Sequence, residues 1–225
     1  MPEITLAPIE LNPDAIAKRI HADRRSVERL TASAADAMPA RAAYQVSYVE
    51  NKATDAVVIG GVRFASRVLR RNLDDVSRVF PFVITLGTVM DATIDKTQSI
   101  LDKYILDEIA NAALRQARRA FEHYLRRQYA VGNVSCMTPG SLEDWPIEQQ
   151  QALFSLLGGE PEAICVRLTE SFLMIPRKSI SGIYFPSETT FLSCQLCPRE
   201  GCDHRKAPYS RAKARDYGIE AASDS

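Results

Sequence analysis

At 225 residues, 46% of them hydrophobic and 25% charged, the chain has an ordinary globular composition, long enough for one substantial core or two small ones. Its 28 basic and 28 acidic side chains cancel, which argues against nucleic acid as a partner, and the arginine pairs at 24–25, 70–71, 118–119 and 126–127 read as solvated helix faces. No apolar run approaches the ~20 residues of a spanning helix, no basic region leads into an apolar stretch at the start, and five cysteines without a signal segment point to a reducing, cytoplasmic setting.

Asn12-Pro13-Asp14 reads as a helix start: a capping amide, a proline in the first turn, then an acid. Ile16, Ile20, Val27 and Leu30 give that helix an apolar stripe, and Pro39 closes it. Tyr44, Val46 and Tyr48 alternate with Gln45 and Ser47 at strand period. Val57-Val58-Ile59 and Val62-Arg63-Phe64 flank Gly60-Gly61, the pattern of a hairpin with a two-residue turn. A short helix is expected over 65–72, then a strand over 79–86, where Pro81 removes a ladder donor and predicts an edge position or a bulge.

The longest helical pattern runs from Ser99 to about Tyr129. Leu101, Ile105, Ile109, Ala112, Ala113, Ala120, Phe121 and Tyr124 share its stripe, and Gly132 is the expected stop. After a turn at Pro139-Gly140, Asp144 is placed to cap a helix opening at Trp145-Pro146 and ending at Gly158-Gly159. Ile164, Val166 and Leu168 alternate as a half-buried strand, and 179–185 is another. Helices and hairpins mix without regular βαβ alternation, so the expected class is α+β, with mixed helices and an antiparallel hairpin sheet. The expected organisation is one unit over 1–206: N-terminal helix and hairpins 1–98, long helix 99–130, loop-and-strand region 134–193 and cysteine-rich segment 194–206. A charged, alanine-rich tail, loose or helical, follows over 207–225.

Three of the five cysteines fall within nine residues, in Cys194-Gln-Leu-Cys197-Pro-Arg-Glu-Gly-Cys202-Asp-His204. A Cys-x-x-Cys knuckle lets two thiolates converge on one ion, and Gly201 allows the chain to turn back and deliver Cys202. His204, Cys136 or Cys165 could complete the set. Zinc accepts three thiolates and an imidazole, and an iron–sulfur cluster also takes cysteines at such spacing. The alternative is three reduced thiols or a labile disulfide.

Residues 136–185 carry Pro139-Gly140, Asp144-Trp145-Pro146, Leu168-Thr169-Glu170-Ser171 and Ser179-Ile180-Ser181-Gly182, in that order. In this string the chain resembles the activation domain of cobalamin-dependent methionine synthase, and its short, free-standing versions in particular. Phe82 to Gly87 and Leu106 to Ala113 extend the resemblance upstream. The resemblance implies a groove for S-adenosylmethionine, whose methyl group is presented to the cobalt of a cobalamin-binding partner during reductive reactivation. It also implies an electron donor such as flavodoxin or ferredoxin, and membership of a methyltransferase system rather than independent catalysis. The positions it assigns to the groove are Cys136, Thr138, Pro139, Gly140, Ser141, Glu170, Ser181 and Tyr184. With corrinoid rescue in view, a redox cluster at Cys194, Cys197, Cys202 and His204 ranks slightly ahead of zinc.

Two positions of the binding loop, and a third in the long helix, depart from the family's pattern. Its binding loop begins with arginine, whose planar fork suits a carboxylate, and ends with tyrosine. Here Cys136 and Ser141 stand at those places, and Arg115 stands in the long helix where the family carries an acid. Losing a buried bidentate ion contact costs about 2–5 kcal/mol of binding. The sequence therefore supports two readings: an accessory protein for reductive reactivation of a corrinoid methyltransferase, or a binding or metal-containing module that has lost S-adenosylmethionine.

Overall fold

The computed structural model describes residues 3–6, 9–202 and 205–219. The elements run β1 (Glu3–Thr5), α1 (Pro13–Ile20), α2 (Arg24–Ala34), β2 (Arg41–Tyr44), β3 (Ser47–Lys52), β4 (Ala56–Ile59), β5 (Val62–Ala65), α3 (Arg67–Asn72), β6 (Arg78–Thr85) and α4 (Thr88–Lys96). They continue with α5 (Ile100–Gln128), β7 (Val134–Met137), α6 (Gln150–Leu157), α7 (Glu160–Ala163), β8 (Arg167–Leu168), β9 (Met174–Ile175), β10 (Ser179–Pro186) and α8 (Arg211–Asp216). The mixture of helices and antiparallel pairs is the α+β class expected. Backbone contacts divide the chain into two compact units, one of residues 1–44, 82–129 and 158–180, the other of 45–81, 130–157 and 181–225.

In the first unit, α1 and α2 pack on each other and on α5. The sequence suggested one helix from Asn12 to Pro39, but the structure breaks it. His21 takes a left-handed conformation (φ 53°) and its N–H bonds the Ala17 carbonyl, ending α1. Asp23 then caps α2, accepting from the Ser26 N–H at 2.9 Å and its hydroxyl at 3.0 Å. The expected stripe survives the break: Ile16, Val27 and Leu30 are buried.

The long helix α5 matches its expected span, with Ser99 accepting from the Asp102 N–H as N-cap. Its core face is Ile105, Ile109, Ala113, Ala117, Phe121 and Leu125, whereas Leu101 is 60% exposed. The stop comes before Gly132, where Ala130 adopts positive φ. The Tyr44 hydroxyl lies 2.8 Å from that of Tyr124 and 3.1 Å from that of Tyr129. Burial first, and these two bonds second, hold the Tyr44 phenol protonated well above the ordinary tyrosine range. Helix α4, which sequence reasoning missed, packs against α5.

The expected strand at 44–48 appears as two strands, β2 and β3, and the cause lies opposite it. Both pair antiparallel with β6, β2 from Arg41↔Thr85 to Tyr44↔Phe82 and β3 at Ser47↔Val79 and Tyr48↔Arg78. Gln45 faces the gap, and its N–H donates to the Pro81 carbonyl at 3.1 Å. Proline has no N–H to return the bond, so the ladder lapses there. Of the edge position or bulge that the sequence suggested, the edge does not hold: β6 pairs with β2, β3 and β10, and Val79 to Ile84 are all buried. One interrupted rung is the whole consequence.

In the second unit, β4 and β5 form the expected hairpin, with Ile59↔Val62 closing on Gly60 and Gly61 at φ 54° and 77°. α3 packs on β4, α6 packs on β5, and β10 pairs with β7 from Ile183↔Met137 to Pro186↔Val134. In the first unit the strand expected over 164–168 shrinks to Arg167–Leu168, because Cys165 takes φ 61° and bends the chain. Ile164 and Val166 are buried all the same. The described part of the tail forms α8, capped by Ser210 and docked through Tyr217, whose hydroxyl donates to Asn72 at 3.2 Å.

Candidate functional site

The turn Thr138–Ser141 lies between β7 and α6. The Ser141 N–H donates to the Thr138 carbonyl at 3.2 Å, and its hydroxyl donates to the same oxygen at 2.7 Å. Gly140 sits at φ 79°, where a Cβ would stand 3.0 Å from the Ile147 side chain, and its N–H bonds the Trp145 carbonyl at 2.7 Å. Only glycine meets both demands. Beneath the turn, Cys136 on β7 faces Tyr184 on β10 in register. Tyr184 is buried and Cys136 half-buried.

Asp144 performs a task other than the one expected. The helix after it starts with a short 3-10 turn at Ile147–Gln149, and Asp144 does not cap it. Its carboxylate, 7% exposed, instead accepts from the Ser66 hydroxyl at 2.6 Å, the Val68 N–H at 2.9 Å and the Arg67 Nε at 3.2 Å. It thus ties the loop after the turn to the start of α3. No local pattern announces a cap to a helix 76 residues away.

Ser181 on β10 donates to Gln150 Oε1 at 2.5 Å, and both side chains are buried. Glu170 is exposed in the turn between β8 and β9, within the first unit, where the Thr169 hydroxyl and backbone close the turn. The structure therefore gathers Cys136, Thr138, Pro139, Gly140, Ser141, Ser181 and Tyr184 in the second unit and leaves Glu170 in the first. None of these seven side chains is a cation. The backbone turn fits a ligand held by amides, but the donor set does not fit the carboxylate of an amino-acid ligand. Ser141 cannot answer for it, since its hydroxyl proton is spent on Thr138.

The cysteine-rich segment is organised by Arg205, which sequence reasoning overlooked. Its guanidinium donates to the carbonyls of Cys194 at 3.0 Å, Cys197 at 3.2 Å and Ala207 at 3.3 Å, and also to that of Arg199. The Lys206 N–H donates to Cys194 Sγ at 3.4 Å. His204 lies outside the described residues. Cys165 is exposed in the first unit, and Cys136 sits in the β7 ladder. Among the described residues, no three metal-ligating side chains converge.

Residues 140–203 match the family model described as vitamin B12 dependent methionine synthase, activation domain. The chain is similar in fold to a protein solved as the crystal structure of the MetH reactivation domain bound to AdoHcy. The TM-score is 0.53 and the identity 16%, over 94% of this chain and 75% of that one. No curated protein matches the sequence significantly. The fold is thus that of a reactivation domain, and the resemblance carried by Pro139-Gly140 through Gly182 is borne out over the segment matched. Among the described residues, no helix is long and apolar enough to cross a membrane.

Proposed function

We propose that this chain engages a cobalamin-binding methionine synthase, or a related corrinoid protein, and supports the reductive return of its cob(II)alamin to activity. The observation that carries this reading is the coincidence of the two likenesses. The activation-domain match runs from Gly140 in the turn through β10 to residue 203 in the cysteine segment, and the reactivation-domain fold extends over 94% of the chain. The chain's share is positioning, since the corrinoid carries the chemistry. An electron donor such as flavodoxin or ferredoxin would supply the electron.

In this reading the turn Thr138–Gly140 retains the shape of a ligand loop while Cys136 and Ser141 have given up its charged anchor, so S-adenosylmethionine binds weakly. Cys194, Cys197 and Cys202, with His204, are proposed to hold a metal, either zinc or an iron–sulfur cluster. Support comes from the Lys206 N–H on Cys194 Sγ and from Arg205 gathering the carbonyls of two of the cysteines. Iron, sulfide and zinc content of anaerobically purified protein separates the two, and absence of all three removes the metal.

The test of the main reading is spectroscopic. A methionine synthase lacking its own activation domain, loaded with cob(II)alamin and given reduced flavodoxin, should lose its cob(II) absorbance faster when this chain is added. An unchanged rate would sink the proposal. One observation favours a second reading, a docking module without ligand: the Ser141 hydroxyl is committed to Thr138. That reading predicts a complex with the corrinoid protein whose affinity S-adenosylmethionine leaves unchanged, and no acceleration.

A further inference from the structure

The first unit contains a cleft of about 590 Å³ between the segment entering α1 and the outer face of α5. Arg19, Arg115 and Arg119 line it, with His123 at one end. Residues 112, 115, 116, 119, 120 and 123 recur at helical spacing, so α5 presents them on one stripe, away from its core face. Two arginines four residues apart on one helix repel each other. Here Glu10 is the one acid on the wall, and Glu108 is engaged by Arg19. Among the described residues, neither Arg115 nor Arg119 has an ion-pair or hydrogen-bond partner. Partial desolvation against the cleft wall first, then the like charge of Arg19 and Arg119 against the opposing Glu108, makes the Arg115 guanidinium hold its proton less tightly than usual.

Leu11, Ala15, Ile16, Ala112 and Ala120 give the wall an apolar part, and Asn12 and Gln116 add neutral polar groups to it. A cleft of this volume is in the range of small-molecule sites, where apolar walls take a ring and a few polar groups fix its orientation. Two unpartnered guanidinium forks call for a doubly charged anion, and a phosphate monoester carries about −1.5 to −2 at neutral pH. A monocarboxylate would leave one fork unanswered.

We infer that this cleft is a binding site for an organic phosphate of mononucleotide size, its phosphate held by Arg115 and Arg119 and its ring against Leu11, Ile16 and the α5 alanines. This explains why Arg115 stands where the family carries an acid: the position serves an anion. The site lies wholly in the first unit and does not depend on the reactivation reading.

Calorimetric titration with adenosine monophosphate, inorganic phosphate and adenosine tests it. The expected result is saturable binding of the monophosphate, weaker binding of phosphate and none of adenosine. Arg115→Ala and Arg119→Ala should each weaken monophosphate binding at least tenfold, and Arg115→Lys, which keeps the charge without the fork, should fall between. Both arginines are exposed, so thermal melts should confirm folding of the variants. Failure of both the monophosphate and inorganic phosphate to bind at millimolar concentration would overturn the inference. So would equal binding of adenosine, or monophosphate binding unchanged in the double alanine variant.

Discussion

Single residues decide whether the ligand loop can do what its fold suggests. The turn holds Gly140 at φ 79°, and in the proposed reading Cys136 and Ser141 stand where the loop of the resembled family carries a cation and a ring. Wild-type protein should therefore bind S-adenosylmethionine only weakly, saturating in calorimetry at millimolar ligand or above. Cys136→Arg with Ser141→Tyr should gain affinity by roughly the 2–5 kcal/mol of one buried ion contact, which would bring it toward the micromolar range. Micromolar binding by the wild type would contradict this account of the loop. Ser181 makes a different point. Its hydroxyl serves Gln150 in a buried pair, so Ser181→Ala strands the Gln150 oxygen and should cost about 1–3 kcal/mol in urea unfolding. Adding Gln150→Leu should recover most of that loss, since an apolar pair needs no partner. If the two changes were simply additive, the pair would not be what holds β10 to α6.

At the scale of elements, boundaries are set by chemistry that often lies far along the chain. α2 starts where it does because Asp23 caps it. The Ser26 N–H, and secondarily the Ser26 hydroxyl, lower the Asp23 carboxyl below its ordinary 3.8. A depressed folded-state value means that the contribution is fully present above 3.8 and disappears as pH falls through the folded value. Asp23→Asn retains a capping oxygen without the charge. Thermal melts should show the wild type ahead of this variant at pH 6, with the gap narrowing as pH falls below 3.8 and through the folded value. A gap that stays unchanged across the acid range would remove the charge from the explanation.

Elements whose cause is local were legible in the sequence. The Gly60-Gly61 hairpin, α5 with its Ser99 cap and the turn at Gly140 carry their determinants within a few residues. Those with remote causes were not. The split between β2 and β3 is dictated by Pro81 across the ladder, and the cap of α3 comes in part from Asp144. The break at His21 was hidden because Ile16, Val27 and Leu30 keep the same buried face on both sides of it.

Across the whole molecule, the architecture and its relationship could be read from the string between Pro139 and Gly182, because that string encodes a turn, a helix and strands in fixed order. The charge of the sites could not be read in the same way. Arg205 gathers carbonyls of Cys194 and Cys197 through backbone contacts that leave no pattern in the chain. Arg19 and Arg115 reach one cleft only because α1 packs on α5. The central claim is that this fold serves a corrinoid partner. Its most direct test is recovery of turnover: a methionine synthase without its activation domain, inactivated by oxidation to cob(II)alamin, is supplied with reduced flavodoxin, S-adenosylmethionine and this chain. The account predicts that methyl transfer resumes in proportion to the chain added. A synthase that stays inactive with this chain, yet recovers when its own activation domain is supplied, would contradict it.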